Sequence, residues 1–420
     1  MSDIRVGPAG DPRRFLDTDL LTWFQEPVDE PVESSLSLLA EDGRFAAEVE
    51  DGDPERYAGV YGVLPLQVTV PGPLATVTQV PVAGLTWVAV HPDERRQGVL
   101  TAMLADHFTR TRAGTSSGLS ALHASESAIY GRHGYGIASW ETTLTLSRGA
   151  TLTAPGLEEA AGALRTRLVD ADDAQVVRRV VELSHRVGGA HLGAVVLPDR
   201  ARARYFQHIP QLTRDTEPKR VIFAQRDGED VGYAVLRRTA KWEDHRPAGE
   251  VRVSELVGDP AAQLALTRRL VDLDLTNAVT FRSRSVDDLL VQWSGGPRSV
   301  HGTVADSLWL RLVDLGVALT ARGYAAPCDV VLEVADARIP ANDGRWRLRA
   351  ADDGSGHVER TASPADVRLS TELLATAYLG GRSLRTALAA GLLEELRPGA
   401  VTALDAALRM PTAPVAAIGF

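Results

Sequence analysis

A chain of 420 residues with 44% hydrophobic and 24% charged side chains has a globular composition and is too long for one ordinary core, so two or three domains are expected. The net charge of −10, with 15 acidic against 5 basic residues in the first 60, argues against nucleic-acid binding, which needs Lys and Arg on phosphates, and suits attraction of polycations. No apolar run approaches the ~18 residues of a membrane span, the lone Cys328 excludes an intramolecular disulfide and any multi-cysteine metal site, and the absence of a signal-peptide pattern at Met1–Arg5 gives a cytoplasmic location as the expectation.

In chain order, Phe15 to Gln25 predicts a first helix stopped before Pro27, and Ser34 to Leu39 a second helical stretch. Phe45–Glu50 reads as a strand, Asp51-Gly52-Asp53-Pro54 as a turn, and Tyr57–Val70 as one long or two short strands ending at Pro71-Gly72-Pro73. Val77–Val82 leads into the β-branched and aromatic run Leu85-Thr86-Trp87-Val88-Ala89-Val90, which His91-Pro92 ends. Leu100, Met103, Leu104, His107 and Phe108 recur at the three- and four-residue spacing of one helix face. Leu119–Ala124 is the next strand, Ser127–Tyr135 a short helix broken by glycines, and Ser139–Ser147 the last strand of an α/β first domain on a mixed sheet. Gly149–Gly162 has linker composition, and Val221–Ala224, Val231–Leu236 and Val251–Val257 are strands before a helix at Pro260–Leu273. Leu308–Gly323 reads as an amphipathic helix closed by Gly323. Strands at Val330–Val334, Trp346–Ala350, Val358–Ala362 and Val367–Ser370 follow, then helices at Thr371–Leu379, Ser383–Gly391 and Val401–Leu408.

The densest chemistry lies between Gly84 and Gly136. Arg95-Arg96-Gln97-Gly98 at a helix start offers free backbone N–H groups, the positive end of the helix dipole and fixed cations, which together make an anion site. Alone, such a start is also what an ordinary solvated helix end looks like. His91, His123 and His133 lie nearby without metal-ligand spacing, and packing accounts for them as well as chemistry does. Trp23, Phe24 and Trp87 can line an acceptor pocket or fill a core. Further along, Glu255-Leu256-Val257-Gly258-Asp259-Pro260 joins a strand to a helix with acids where an anion site would need cations.

The spacing of strand, Arg-x-x-Gly turn and helix resembles the Gcn5-related N-acetyltransferases, with Arg95 and Gly98 at two fixed places of their motif and Leu100 where glycine or alanine is usual. Ala-Gly-Leu-Thr-Trp-Val-Ala-Val at 83–90, Arg-Arg-Gln-Gly-Val-Leu at 95–100 and Ala-Leu-His-Ala-Ser-Glu-Ser-Ala-Ile-Tyr-Gly-Arg-His-Gly-Tyr-Gly at 121–136 are similar to the Eis (enhanced intracellular survival) aminoglycoside acetyltransferases. Leu308-Trp309-Leu310-Arg311, Ala321-Arg322-Gly323-Tyr324-Ala325 and a terminal phenylalanine extend the resemblance along the whole chain. It implies two tandem acetyltransferase-like α/β domains, catalytic over 1–150 and degenerate over 151–300, followed by a sterol-carrier-like α+β domain over 301–420. The implied activity is acetyl transfer from acetyl-CoA to amines of polycationic acceptors, aminoglycosides above all, by a homohexamer without a metal. Protein lysines, polyamines or another small amine are alternative acceptors, and a lipid- or sterol-binding protein is the non-enzymatic alternative.

Residue by residue, the resemblance gives Val88, Ala89 and Val90 to the pantetheine arm and the oxyanion. Arg95, Arg96, Gln97, Gly98, Val99, Leu100 and Thr101 fall to the pyrophosphate, and Ser125 and Glu126 to the cofactor wall. Tyr130 becomes the general acid for the departing thiolate, with Tyr135 as the alternative acid or a residue that shapes the turn. The Phe420 carboxylate becomes the general base, its tail docked through Val415-Ala416-Ala417-Ile418. Gly419 replaces a carboxylic residue that often precedes the final phenylalanine. Because the first two helices flank the acceptor site in such enzymes, some of Asp29, Glu30 and Glu33 are expected to meet the substrate.

Overall fold

The computed structural model describes residues 3–26, 31–50, 52–53, 55–207 and 216–420. The chain forms two compact units. One holds residues 1–138 and 308–411 with Phe420; the other holds 139–307 and 412–419.

In the first unit, strands β1 (Ile4–Pro8), β2 (Arg44–Val49), β3 (Gly59–Pro71), β4 (Val77–Val90) and β5 (Leu119–His123) lie side by side in that order, followed by Leu308–Leu312 and Gly136–Ile137. Neighbours are antiparallel except β4 and β5. The helix Pro12–Thr22 starts where Asp11 accepts hydrogen bonds from the Arg13 and Arg14 N–H groups and Pro12 pre-sets the first helical φ. It stops well before Pro27, because Phe24 turns left-handed at φ 56° and the Gln25 N–H closes on the Leu20 carbonyl. The helix Val99–Gly114 lays Val99, Met103, Leu104 and Phe108 into a core with Phe45, Tyr61, Leu85, Leu122 and Trp309.

Two expectations are corrected here. Leu308–Leu312 is a strand, not the start of a helix. All five residues are buried between β5 and Gly136–Ile137, and a strand covered on both faces shows no alternation to tell it from a helix. The helix begins only at Leu315, capped by Asp314 through the Val317 N–H, and ends at Thr320. Gly323 is therefore no helix cap; its Cα lies against Gly72 and Pro73, where a side chain has no room. The rest of this region is a sheet in the order Gly356–Arg360, Gly344–Ala350, Cys328–Ala335, Val367–Ser370 and Glu394–Glu395, with helices at Thr371–Ala377, Leu384–Ala389 and Ala400–Leu408.

The second correction concerns Trp140–Ser147, which pairs with His301–Asp306 and Thr276–Arg284 in the second unit instead of closing the first sheet. That sheet continues through Gly249–Gly258, Glu229–Thr239, Arg220–Arg226 and Arg165–Asp170. The helix Pro260–Val271 buries Ala262, Leu264, Leu266 and Leu270 against it. In the same unit the tail runs beside Leu192–Val195: the Val415 N–H donates to the Leu192 carbonyl, and the Ala416 carbonyl accepts from Val195. No helix among the described residues is long and apolar enough to cross a membrane.

Candidate active site

β4 and β5 are parallel neighbours only at Ala83–Gly84 opposite Ser120–Ala121, so the last six residues of β4 have no β5 partner. A bulge lies in that stretch. Val60 faces Ala89 and Gly62 faces Thr86, which leaves Tyr61 opposite both Trp87 and Val88, with Trp87 left-handed at φ 51°. The His91 N–H donates to the Ala58 carbonyl on the β3 side. By strand alternation the main-chain groups of Val88 and Val90 then point to the open side, and those of Ala89 to β3. An extended thioester arm can add to β4 there as another strand would.

Beyond Pro92 the chain turns through Arg95, Arg96, Gln97 and Gly98, all four exposed. Arg96 at φ 64° and Gly98 at φ 96° are left-handed, which curls successive N–H groups into a concavity of the kind that takes anions. Among the described residues no side chain caps the helix that starts at Val99, so the N–H groups of Val99, Leu100 and Thr101 keep their first-turn vacancies. Val99 itself is buried and Leu100 half-buried; they contribute through the backbone.

β5 ends at His123, and Ser125 and Glu126 are exposed before the helical turn Ser127–Tyr130. Tyr130 is 7% exposed, its phenol pushed up to about 12 by burial and then by the Glu126 charge. Its ring stands edge-on to Tyr135 at 5.9 Å. Tyr135 is fully buried, and its hydroxyl shares a 2.8 Å hydrogen bond with Ser120, which shares one of 2.7 Å with His107 Nε2. Tyr135 thus shapes the turn from inside the core. Burial lowers His107 to about 3, so the imidazole in this chain is neutral.

The Phe420 ring lies edge-on to His123 at 5.0 Å, and its Cε2 would sit 3.1 Å from a Cβ on Gly84. The terminal residue therefore sits where β4 and β5 part. Gly84 leaves room for both that ring and Leu66, whose Cγ would be 2.8 Å from the same Cβ. Trp87 stacks on Phe15 at 5.9 Å, while Trp23 and Phe24 are 43% and 93% exposed and belong to no core. His91 caps the turn at Asp93 and meets Arg56, and His133 is buried, lowered to about 4 by burial and by Arg338, Arg132 and Arg311. Asp29 and Glu30 lie outside the described residues, as does the side chain of Glu33.

The second unit repeats the splay without the cradle. Gly249–Val253 runs parallel to Thr276–Phe281, and beyond it Glu255 is buried against Arg202 (2.5 and 2.8 Å) and Tyr233 (2.9 Å). Its helix start is filled by Asp259, which accepts from the Ala262 N–H. A buried ion pair thus follows the splay, and a carboxylate, itself bonded to Arg226 at 3.2 Å, caps the helix in place of an Arg-x-x-Gly turn.

Ser120, His107, Gly84 and the C-terminal groups behind the Tyr130 turn were not legible as site residues. The one available signal was the run of glycines after Tyr130, which marks close backbone approach without saying to what.

Comparison with known proteins gives the same outline. Residues 22–138 and 198–312 each match models of an acetyltransferase (GNAT) domain, and 315–417 a sterol carrier protein domain. An uncharacterized N-acetyltransferase of Streptomyces avermitilis is 38% identical over 100% of both chains. The N-acetyltransferase Eis of Mycobacterium tuberculosis is 31% identical over 88% of each. The crystal structure of Eis1 from Mycobacterium abscessus superposes with a TM-score of 0.82 at 28% identity, covering 100% of both chains. These matches define an N-acetyltransferase of the Gcn5-related class with a sterol-carrier-like domain appended. Within that class the chain belongs to the Eis family.

Proposed function

We propose that the enzyme takes its acetyl group from acetyl-CoA and delivers it to amino groups of polycationic small molecules, aminoglycosides first, at one or several positions. The observation that carries this is the convergence, where β4 leaves β5, of an open strand edge, an uncapped helix start with two arginines beside it, and the terminal residue. Arg95 through Thr101 would hold the pyrophosphate, Val88 and Val90 the pantetheine amides, and Ser125 and Glu126 the opposite wall. The amine lone pair attacks the thioester carbon, and a β4 N–H stabilises the oxygen as it gains charge. The C–S bond then breaks. The Phe420 carboxylate takes the proton lost by the acceptor nitrogen, directly or through a water, and Tyr130 donates to the departing thiolate. The acidic amino-terminal segment supports a cationic acceptor: Glu48, Glu50 and Asp53 line a hollow of about 300 Å³, though Arg14 and Arg56 share it. A cytoplasmic homohexamer is the proposed form, checked by sedimentation.

The test is CoA thiol release from acetyl-CoA across aminoglycosides, polyamines and lysine peptides, with a no-acceptor blank. Release with aminoglycosides beyond one equivalent per molecule supports the proposal and multi-site transfer. Release only with another amine keeps the mechanism and replaces the acceptor. No release with any amine, together with no thermal shift on adding acetyl-CoA, would overturn it.

A further inference from the structure

The segment Tyr130-Gly131-Arg132-His133-Gly134-Tyr135-Gly136 meets the C-terminal domain at each of its three glycines. A Cβ on Gly131 would lie 3.1 Å from the Glu372 carboxylate, one on Gly134 2.7 Å from the Arg311 guanidinium carbon and 2.9 Å from Thr371 Cγ2, and one on Gly136 2.5 Å from the Thr376 backbone nitrogen. Arg338 Nε also donates to the Arg132 carbonyl at 3.3 Å. Apart from Arg338, the contacts come from the helix Thr371–Ala377, at Gly131 through the end of the Glu372 side chain, and from a fully buried arginine on the strand Leu308–Leu312.

Arg311 is fixed in turn. Its Nη2 donates to both oxygens of Asp336 at 2.7 Å, its Nη1 to Thr371 Oγ1 at 2.8 Å and to the Leu312 carbonyl at 3.2 Å, and its carbon sits 5.3 Å from the centre of the Phe108 ring. Asp336 also accepts from the Arg338 and Ile339 N–H groups and from Asn342. A planar cation held on three sides presents a fixed face to Gly134, which no longer flexible side chain at that place could do. Tyr135, next in the chain after Gly134, is held by Ser120 on β5. The backbone that carries Tyr130 is therefore gripped between the catalytic core and the C-terminal domain.

We propose that the sterol-carrier-like domain is a positioning element for Tyr130, its Asp336 and Thr371 acting through Arg311 on the adjoining strand of the first sheet. This rests on the proposal that Tyr130 donates to the thiolate. A hydroxyl that must meet a sulfur formed only in the transition state depends on placement to a fraction of an ångström, and misplacement lowers kcat while leaving cofactor binding intact.

The test compares Thr371→Val, which removes the Arg311 hydrogen bond at constant shape, with Thr371→Ser, which keeps it, in the full-length enzyme. Expected for Thr371→Val is a fall in kcat of about 5- to 20-fold with the KM for acetyl-CoA changed less than about twofold, and near-full kcat for Thr371→Ser. In a Tyr130→Phe background Thr371→Val should add nothing, because its effect passes through the absent hydroxyl. Full kcat in Thr371→Val, or the same loss in both backgrounds, would overturn the proposal. If Thr371→Val fails to fold, Thr371→Ala, which removes the same Arg311 hydrogen bond, is read by the same cycle. A wild-type enzyme that neither binds acetyl-CoA nor releases CoA refutes the acyl-transfer proposal itself and this inference with it. A wild-type enzyme that turns over while Tyr130→Phe keeps full kcat refutes this inference and leaves acyl transfer itself standing.

Discussion

Replacing Tyr130 by phenylalanine isolates one hydroxyl. The ring keeps its place among Leu85, Phe108, Leu122 and Tyr135, so the fold should lose little. With the phenol near 12 and a thiol near the ~8.5 of a cysteine-like group, complete proton transfer runs about 5 kcal/mol uphill. Tyr130 therefore works as a hydrogen-bond donor to sulfur as charge develops, with the proton passing late. A hydrogen bond to a charged group is worth ~1.5–3 kcal/mol, which at about 1.4 kcal/mol per tenfold gives a loss of roughly 10- to 100-fold in kcat. The KM for acetyl-CoA should stay within about twofold, because the bond forms only as the thiolate leaves. Initial rates of CoA thiol release at saturating acceptor measure both. Since the raised phenol keeps its proton until about pH 12, the wild-type rate should not fall on the alkaline side through loss of this acid below about pH 11. Unchanged kcat in Tyr130→Phe, or a loss confined to KM, would refute the assignment.

Three further outcomes are expected. Adding residues after Phe420 moves the carboxylate off the β4–β5 splay and should lower kcat by roughly 100-fold, with acetyl-CoA affinity by calorimetry unchanged; full activity in a C-terminally tagged enzyme would remove Phe420 from the mechanism. Glu255→Gln leaves Arg202 buried without its counter-charge, both side chains being about 5% exposed or less, and should cost about 3 kcal/mol in denaturant unfolding with kcat/KM preserved. Burial raises seven of the eight tyrosines: Tyr61, Tyr130, Tyr135, Tyr205, Tyr233, Tyr324 and Tyr378. A phenol whose folded pKa is raised stabilises below its unfolded value near ~10, and that stability drains as pH climbs through the folded value. The near-ultraviolet tyrosinate band should therefore show these seven appearing together as alkaline unfolding sets in above about pH 10, not one by one in the folded enzyme. Several tyrosines ionising before the fold is lost would contradict the packing described.

How much was legible depends on how local the signal is. The strand before His91-Pro92, the Arg-x-x-Gly turn and the amphipathic helix after it are written in residues that act on their own backbone within one turn, so their structure is legible locally, with an anion site as the turn's expected chemistry. Ile4–Pro8 carries too few residues and too much glycine and proline to announce a strand. Trp140–Ser147 reads as a strand in the sequence, but a pleated, half-buried strand carries no label for its neighbour, and its partners lie in the second unit's sheet. Leu308–Leu312 fits a helix and a buried strand equally, and only the place left between β5 and Gly136–Ile137 decides it.

The sequence by itself determined the composition class and a candidate anion-binding turn, which follow from side-chain chemistry and short spacing; the family, and with it the candidate proton carriers Tyr130 and Phe420, came through resemblance alone. Only the tertiary structure decided that β4 and β5 part beyond Ser120–Ala121, that Trp87 bulges, and that Arg311, 181 residues beyond Tyr130 in the chain, braces the turn that carries it. The physical reason is common to all three. Each is a relation between surfaces contributed by distant stretches, and the residues involved look locally like any buried strand, any aromatic or any arginine until the chain brings them together.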